Sequence, residues 1–193
     1  MENVNDKYLA IITAGKNLFW KHGIKKVSVE EICKKAGTSR VTFYKYFPNK
    51  TDLALHLLNE IIDRAFKDYD EIMKSDLSFE QKVEGTIQLK LEGTRDFSME
   101  FLHDIYSGEF PELSDFFMKT VQKSMKNIKD DYTEAQKDGL IRKDIKIEFI
   151  LYFMNHLQNM ISDPELEDLY DSTADLAGEL VRFFFYGIMP RKG

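Results

Sequence analysis

Apolar positions recur at three- and four-residue spacing along most of the chain, the period of helices that pack on one side. Leu9, Ile12, Leu18 and Phe19 mark a first helix over 6–22, which Gly23 stops as a left-handed C-terminal residue. Gly15 inside it costs about 1 kcal/mol relative to Ala unless a neighbour packs close there. Ser28 followed by Glu31 makes a capping box, so a second helix spans 29–36 and ends at Gly37. Ser39 caps a third helix over 40–47, and Pro48 forbids its continuation. Asn49, with Asp52 three residues on, caps a fourth over 50–73. Further along, Ser78, Ser98 and Asp144 have the chemistry of caps, Pro111 and Pro164 stand where helices begin, and Gly139 closes one. These signals predict five more helices, over 78–95, 98–107, 111–138, 144–162 and 165–188. The expected fold is all-α with about nine helices, and the fourth joins a head (1–50) to a body (51–193) without a flexible linker.

Composition supports this and narrows the chemistry. Gly and Pro number 14 of 193 residues, too few for many short strands and tight turns. A single cysteine excludes a disulfide scaffold and a cysteine-rich zinc site. The opening segment does not resemble a signal peptide and no apolar run approaches ~20 residues, so a cytoplasmic protein with no membrane association is expected. The four histidines, His22, His56, His103 and His156, are dispersed, with no zinc-protease, nucleophile-elbow or phosphate-loop motif. Cys33 occupies a small-residue position inside the second helix, which fits a packed thiol better than a nucleophile. No catalysis, metal or cofactor is therefore expected. Charge is unevenly placed: residues 1–50 carry 10 Lys/Arg against 4 Asp/Glu, whereas the rest carry 17 against 29. A basic head on an acidic body fits a head that meets a polyanion.

Residues 28–47 form a helix, a short glycine-containing turn and a second short helix, which is a helix-turn-helix in length and punctuation. At ~100° per residue, Phe43 and Phe47 fall on one face of the second of these, against Ile32 and Ala36 of the first. Lys45 lies opposite, flanked by Val41 and Thr42, with Tyr44 and Tyr46 on the two sides and Arg40 in the first turn. A helix that enters a DNA major groove wants this arrangement. Arg40 offers paired donors to guanine N7 and O6, Val41 and Thr42 reach thymine methyls or an acceptor, and Lys45 faces the bases with them. The hydroxyls of Tyr44 and Tyr46, with Lys25, Lys26, Ser28 and Lys50, are candidates for phosphates, contacts that give affinity rather than sequence choice. Lys50 opens the fourth helix, where the dipole already favours an anion.

Residues 11–58 resemble the amino-terminal DNA-binding domain of TetR-family transcriptional regulators. The matching stretches are Ile11-Ile12-Thr13-Ala14, Leu18-Phe19, His22-Gly23 and Val27-Ser28-Val29-Glu30-Glu31-Ile32. They continue through Ala36-Gly37-Thr38-Ser39, Thr42-Phe43-Tyr44-Lys45-Tyr46-Phe47 and Asn49-Lys50-Thr51-Asp52-Leu53. Cys33 departs from the family's usual alanine, and Gly15-Lys16 from its usual alanine and apolar residue; both positions concern helix packing. The resemblance implies base contacts at Arg40, Val41, Thr42 and Lys45, and phosphate contacts at Tyr44, Tyr46 and Lys50. It also implies a homodimer on a palindromic double-stranded operator, with a variable helical body that answers a small-molecule effector.

The body's own residues extend those expectations. Helix 144–162 is apolar nearly all round and so needs cover on more than one side, and helix 165–188 ends in Phe183-Phe184-Phe185-Tyr186, too apolar for a one-sided surface helix. They are expected to form a four-helix dimer interface with their symmetry mates. An effector pocket is expected around Phe101, Phe117 and Tyr152, with His103, Gln122 and His156 as polar anchors, suited to a largely hydrophobic molecule. The resulting reading is a repressor released from its operator by such a ligand. The alternatives are a helical DNA-binding activator and an interaction protein without an effector.

Overall fold

The computed structural model describes residues 4–161, 163–170 and 173–190. Among them are ten helices and no strand: α1 (Val4–His22), α2 (Val29–Lys35), α3 (Arg40–Tyr46), α4 (Lys50–Lys74), α5 (Phe79–Thr94), α6 (Met99–Tyr106), α7 (Pro111–Lys137), α8 (Ile147–Ile161), α9 (Pro164–Glu167) and α10 (Thr173–Ile188). Local chemistry explains most of the boundaries. The Ser28 hydroxyl accepts the Glu31 amide and the Glu31 carboxylate accepts the Ser28 amide, the reciprocal box that starts α2. Ser39 accepts the Thr42 amide at the start of α3 and Asn49 the Asp52 amide at the start of α4. Gly23, Gly37 and Gly139 all have positive φ where a helix stops.

Two expectations are corrected. Asp144 does not cap α8, because its carboxylate pairs with Arg142 two residues back. The helix begins at Ile147, its first turn closed by the Ile150 amide on the Lys146 carbonyl. The predicted helix over 165–188 is broken into α9 and α10. Asp163 accepts the Glu165 amide and Pro164 takes the first helical position, so α9 has its own start, and it runs out in a turn at 168–170. The sequence there runs Asp171-Ser172-Thr173, residue types that favour a fresh helix start. Asp171, Ser172 and Ser162 lie outside the described residues, as do the side chains of Leu157, Ile161 and Phe185 that the sequence reading counted.

The chain divides into two compact units. The first comprises Met1–Asp68 and Leu89–Val121, the second Tyr69–Gln88 and Gln122–Gly193. The core of the first gathers Ile11, Phe19, Trp20 and Ile24 with Ile32, Phe43, Leu53 and Leu57, and also takes Phe101, Ile105 and Leu113 from α6 and α7. Trp20 sits against Phe97 and Phe101 with ring centroids 5.2 and 4.6 Å away, and its carbonyl accepts the Ser98 amide. Aromatic burial of this kind dominates the energetics of a small core. α1 and α4 approach closely at Gly15, where Leu53 fills the space a side chain would need. The core of the second unit joins Val83, Tyr132 and Ile141 to Ile147 and Ile150 of α8 and to Val181, Phe184 and Ile188 of α10. Phe153 and Phe184 stack there with centroids 5.9 Å apart. Gln136 donates to the carbonyls of Arg142 and Ile145, each at 2.9 Å, and so holds the turn ahead of α8.

Candidate nucleic-acid interface

The interface is built from the back of α3 outwards. Phe43 is wholly buried and Phe47 nearly so. Behind them, the Phe47 ring lies 5.9 Å from Tyr8 and 5.6 Å from His56. Tyr8 and His56 are themselves joined at 2.7 Å between Oη and Nε2, so α1 and α4 grip the same anchor. Burying two phenylalanines stabilises the docking of a seven-residue helix that could not hold its shape alone. From the turn, Gly37 gives its carbonyl to the Lys7 ammonium at 3.2 Å.

With the back fixed, the front is determined. Arg40, Val41, Tyr44 and Lys45 all point to solvent, Val41 at 69% exposure. A valine so exposed beside two cations gains nothing from the fold, and it fits a surface that meets thymine methyls. Thr42 is half-buried, its hydroxyl 2.9 Å from that of Ser39. Tyr46 is also half-buried, leaning edge-on against Tyr8 at 5.4 Å. The structure therefore groups Arg40, Val41, Tyr44 and Lys45 on one free face, with Thr42 and Tyr46 at its edges.

The candidate phosphate residues are placed differently from one another. The Lys50 ammonium is turned into the protein, where it donates to the carbonyls of Ile24 at 2.7 Å, Val27 at 2.8 Å and Lys25 at 2.9 Å. An ammonium has three donors, so none is left for a phosphate. Burial pushes this amine below the usual lysine range, against the pull of Asp104, Glu31 and Glu109. The Lys25 ammonium pairs with Glu109 at 2.7 Å, which raises its pKa, and that of Lys26 lies 3.6 Å from Glu100. Both pairs are solvent-exposed, hence weak and open to exchange for phosphate oxygens. The Ser28 hydroxyl is engaged with Glu31 on both sides of the capping box. Cys33 is buried, and burial pushes its thiol up, away from nucleophilic character.

The sequence reading passed over Lys7, the Tyr8–His56 pair and Asp104. Asp104 is the residue for which a signal existed: it falls with Phe101 and Ile105 on the buried side of α6, a core position given to a carboxylate. The six expected pocket residues differ in their burial. Phe101 is core, walled by Trp20 and Phe97, and Phe117 is half-buried with Tyr106 as its ring partner. His103, Gln122, Tyr152 and His156 are exposed. Tyr152 and His156 lean on each other with ring centroids 4.2 Å apart, on the outer side of α8.

Residues 11–57 match the family model of the bacterial regulatory proteins of the tetR family. The match covers 47 of the 193 residues, so it is the head of the chain that resembles this family. Among known relatives, the HTH-type transcriptional regulator EthR of Mycobacterium tuberculosis (strain ATCC 25618 / H37Rv) is 39% identical over 61 residues, 32% of this chain. That match spans 28% of EthR's own length, so this chain covers less than a third of that relative. Solved structures extend the likeness in fold to the whole chain. A transcriptional regulator of Saccharomonospora viridis in complex with choline superposes with a TM-score of 0.77 at 18% identity, covering 95% of this chain and 97% of that one. FadR of Bacillus subtilis in complex with stearoyl-CoA gives 0.70 at 19% identity, covering 94% and 99%. Among the described residues, no cluster of His, Cys, Asp or Glu could hold a metal ion, and no helix is long and apolar enough to cross a membrane.

Proposed function

We propose that the protein is a sequence-specific, DNA-binding transcriptional regulator, acting in the cytoplasm as a homodimeric repressor that a small, largely hydrophobic ligand releases from a palindromic operator. The observation that carries this is the division of α3 and its C-cap residue into a buried pair, Phe43 and Phe47, and an outward face of Arg40, Val41, Tyr44 and Lys45. In this reading Arg40, Val41, Thr42 and Lys45 read bases, and Tyr44, Tyr46, Lys25 and Lys26 bind phosphates, with Ser28 at the start of α2 beside them. Residues 1–50 are the DNA-binding part and 51–193 the effector-binding and dimerising part.

Dimerisation is supported by what α8 and α10 leave uncovered. Phe149, Tyr152, Phe183 and Tyr186 are all exposed, the last two at 72% and 79%. Aromatic surface on that scale is costly in water and is normal at an interface between subunits. An effector is supported by the fold shared with the choline-bound and stearoyl-CoA-bound regulators. A ligand favouring one arrangement of the dimer shifts the population away from the spacing that two half-sites about 34 Å apart require.

Selection of bound duplexes from a random pool tests the reading. The wild type is expected to enrich a palindrome, with log affinity falling linearly against log salt as phosphate contacts release counterions. Arg40→Ala is expected to relax preference at one base pair in each half-site, at a cost of about 1–3 kcal/mol. Recovery of no sequence, or binding indifferent to salt, overturns it, and a chain that sediments only as a monomer overturns the dimer.

A further inference from the structure

Asp104 on α6, 5% exposed, is a buried carboxylate that DNA recognition as described above does not use. Its Oδ2 accepts the backbone amide of Lys25 at 2.9 Å. The same oxygen lies 2.7 Å from where a β-carbon on Gly23 would stand, and Gly23 has φ +79°, so a glycine is required there by both space and backbone. Lys50 holds the same loop through its carbonyls, at Ile24, Lys25 and Val27. The connection from α1 to α2 is thus held by a carboxylate on one of its amides and by an ammonium on three of its carbonyls. Lys25 and Lys26, the loop's two candidate phosphate ligands, are carried on this stretch of backbone. On the α6 side their ammonium groups meet Glu109 and Glu100.

We propose that Asp104 is a positioning residue for DNA binding: through the Lys25 amide it sets where Lys25 and Lys26 stand relative to the phosphate backbone, without touching DNA itself. The inference rests on the DNA-binding reading above and adds to it a residue outside the helix-turn-helix. A charged acceptor on a partly buried amide is among the stronger hydrogen bonds a fold can make. Losing it leaves the loop held on its carbonyl side alone, by Lys50, and two lysines that were held in place then meet the duplex from more positions.

The test uses the full chain and a duplex selected by the wild type. Asp104→Leu removes the acceptor, while Asp104→Asn keeps a carbonyl oxygen in its place. Asp104→Leu is expected to weaken binding about tenfold or more. It should also make the slope of log affinity against log salt shallower by about one to two. Exchange of the Lys25 amide with solvent deuterium should accelerate, while emission of Trp20, the only tryptophan, reports intact packing of α1 on α6. Asp104→Asn should restore slope and exchange rate towards wild type. A merely structural role would lower the melting temperature and leave the salt slope where it was, and that outcome overturns the proposal. So does a folded Asp104→Leu protein with wild-type affinity and slope. Should Asp104→Leu not fold, Asp104→Ser, which stays polar but is too short to reach the amide, carries the same expectations. A wild type that binds no duplex overturns the DNA reading itself, whereas unchanged variants of a binding wild type overturn this inference alone.

Discussion

The Leu53 Cδ2 methyl lies 2.6 Å from the point a β-carbon on Gly15 would occupy, and its Cγ 3.3 Å from it. Leu53 is wholly buried, so it cannot swing aside. Helix propensity alone would favour Gly15→Ala by about 1 kcal/mol, but overpacking a closed core costs about 1–3 kcal/mol. Gly15→Ala is therefore expected to lower the melting temperature, and Gly15→Ala with Leu53→Ala should recover part of the loss relative to Leu53→Ala alone. Thermal melts followed by circular dichroism check both.

Lys50 is the residue for which sequence and structure lead to different experiments. A phosphate ligand removed from a DNA-binding protein leaves stability alone and reduces the salt slope by about one. A lysine whose three donors satisfy carbonyls does the opposite. Lys50→Met is expected to destabilise the first unit by about 2 kcal/mol, through unpaired carbonyls around Ile24 and Val27, and to leave the salt slope near wild type once binding is measured well below the melting temperature.

Tyr132 is buried with no hydrogen-bond partner for its hydroxyl among the described residues, and burial holds its pKa well above the usual phenol range. A buried hydroxyl without a partner costs about 1–3 kcal/mol. Tyr132→Phe keeps the ring against Phe79, 5.3 Å away between centroids, and removes that cost. It is expected to raise the melting temperature by a few degrees, and a drop would show that the hydroxyl has a partner in solution.

The Glu31 carboxyl is held below the usual carboxylate range by the Ser28 amide first and the Ser28 hydroxyl second. A carboxyl whose folded-state pKa is depressed contributes stability above its unfolded value near 4.5, and that contribution disappears as pH falls through the folded value. Acidification from pH about 5.5 to about 3.5 should therefore cost the wild type more than Glu31→Gln, which keeps an acceptor in the box but does not titrate. Melts of the two proteins across that range check the difference.

The helix starts and stops of the head were legible because each is made by groups within four residues of one another. Ser28 and Glu31, Ser39 and Thr42, and Asn49 and Asp52 close their bonds over three residues, and positive-φ glycines need no partner at all. The face of α3 was legible for the same reason, since helical geometry alone places Phe43 and Phe47 opposite Lys45. The break between α9 and α10 was missed because a long apolar pattern after Pro164 outweighed a short polar run, and the Asp144 cap because an arginine two residues away competes for the same carboxylate.

What the sequence by itself determined is therefore the all-helical class, the position of the helix-turn-helix and the side chains it presents. Tertiary structure alone decided where the charges between helices go. Lys50 closes on carbonyls up to 26 residues back and Asp104 on an amide 79 residues back. The same lysine can hold a phosphate or a loop, and the same aspartate can face water or a backbone amide. Which occurs depends on which backbone groups the folded chain leaves without a partner beside them, and no spacing along the chain records that.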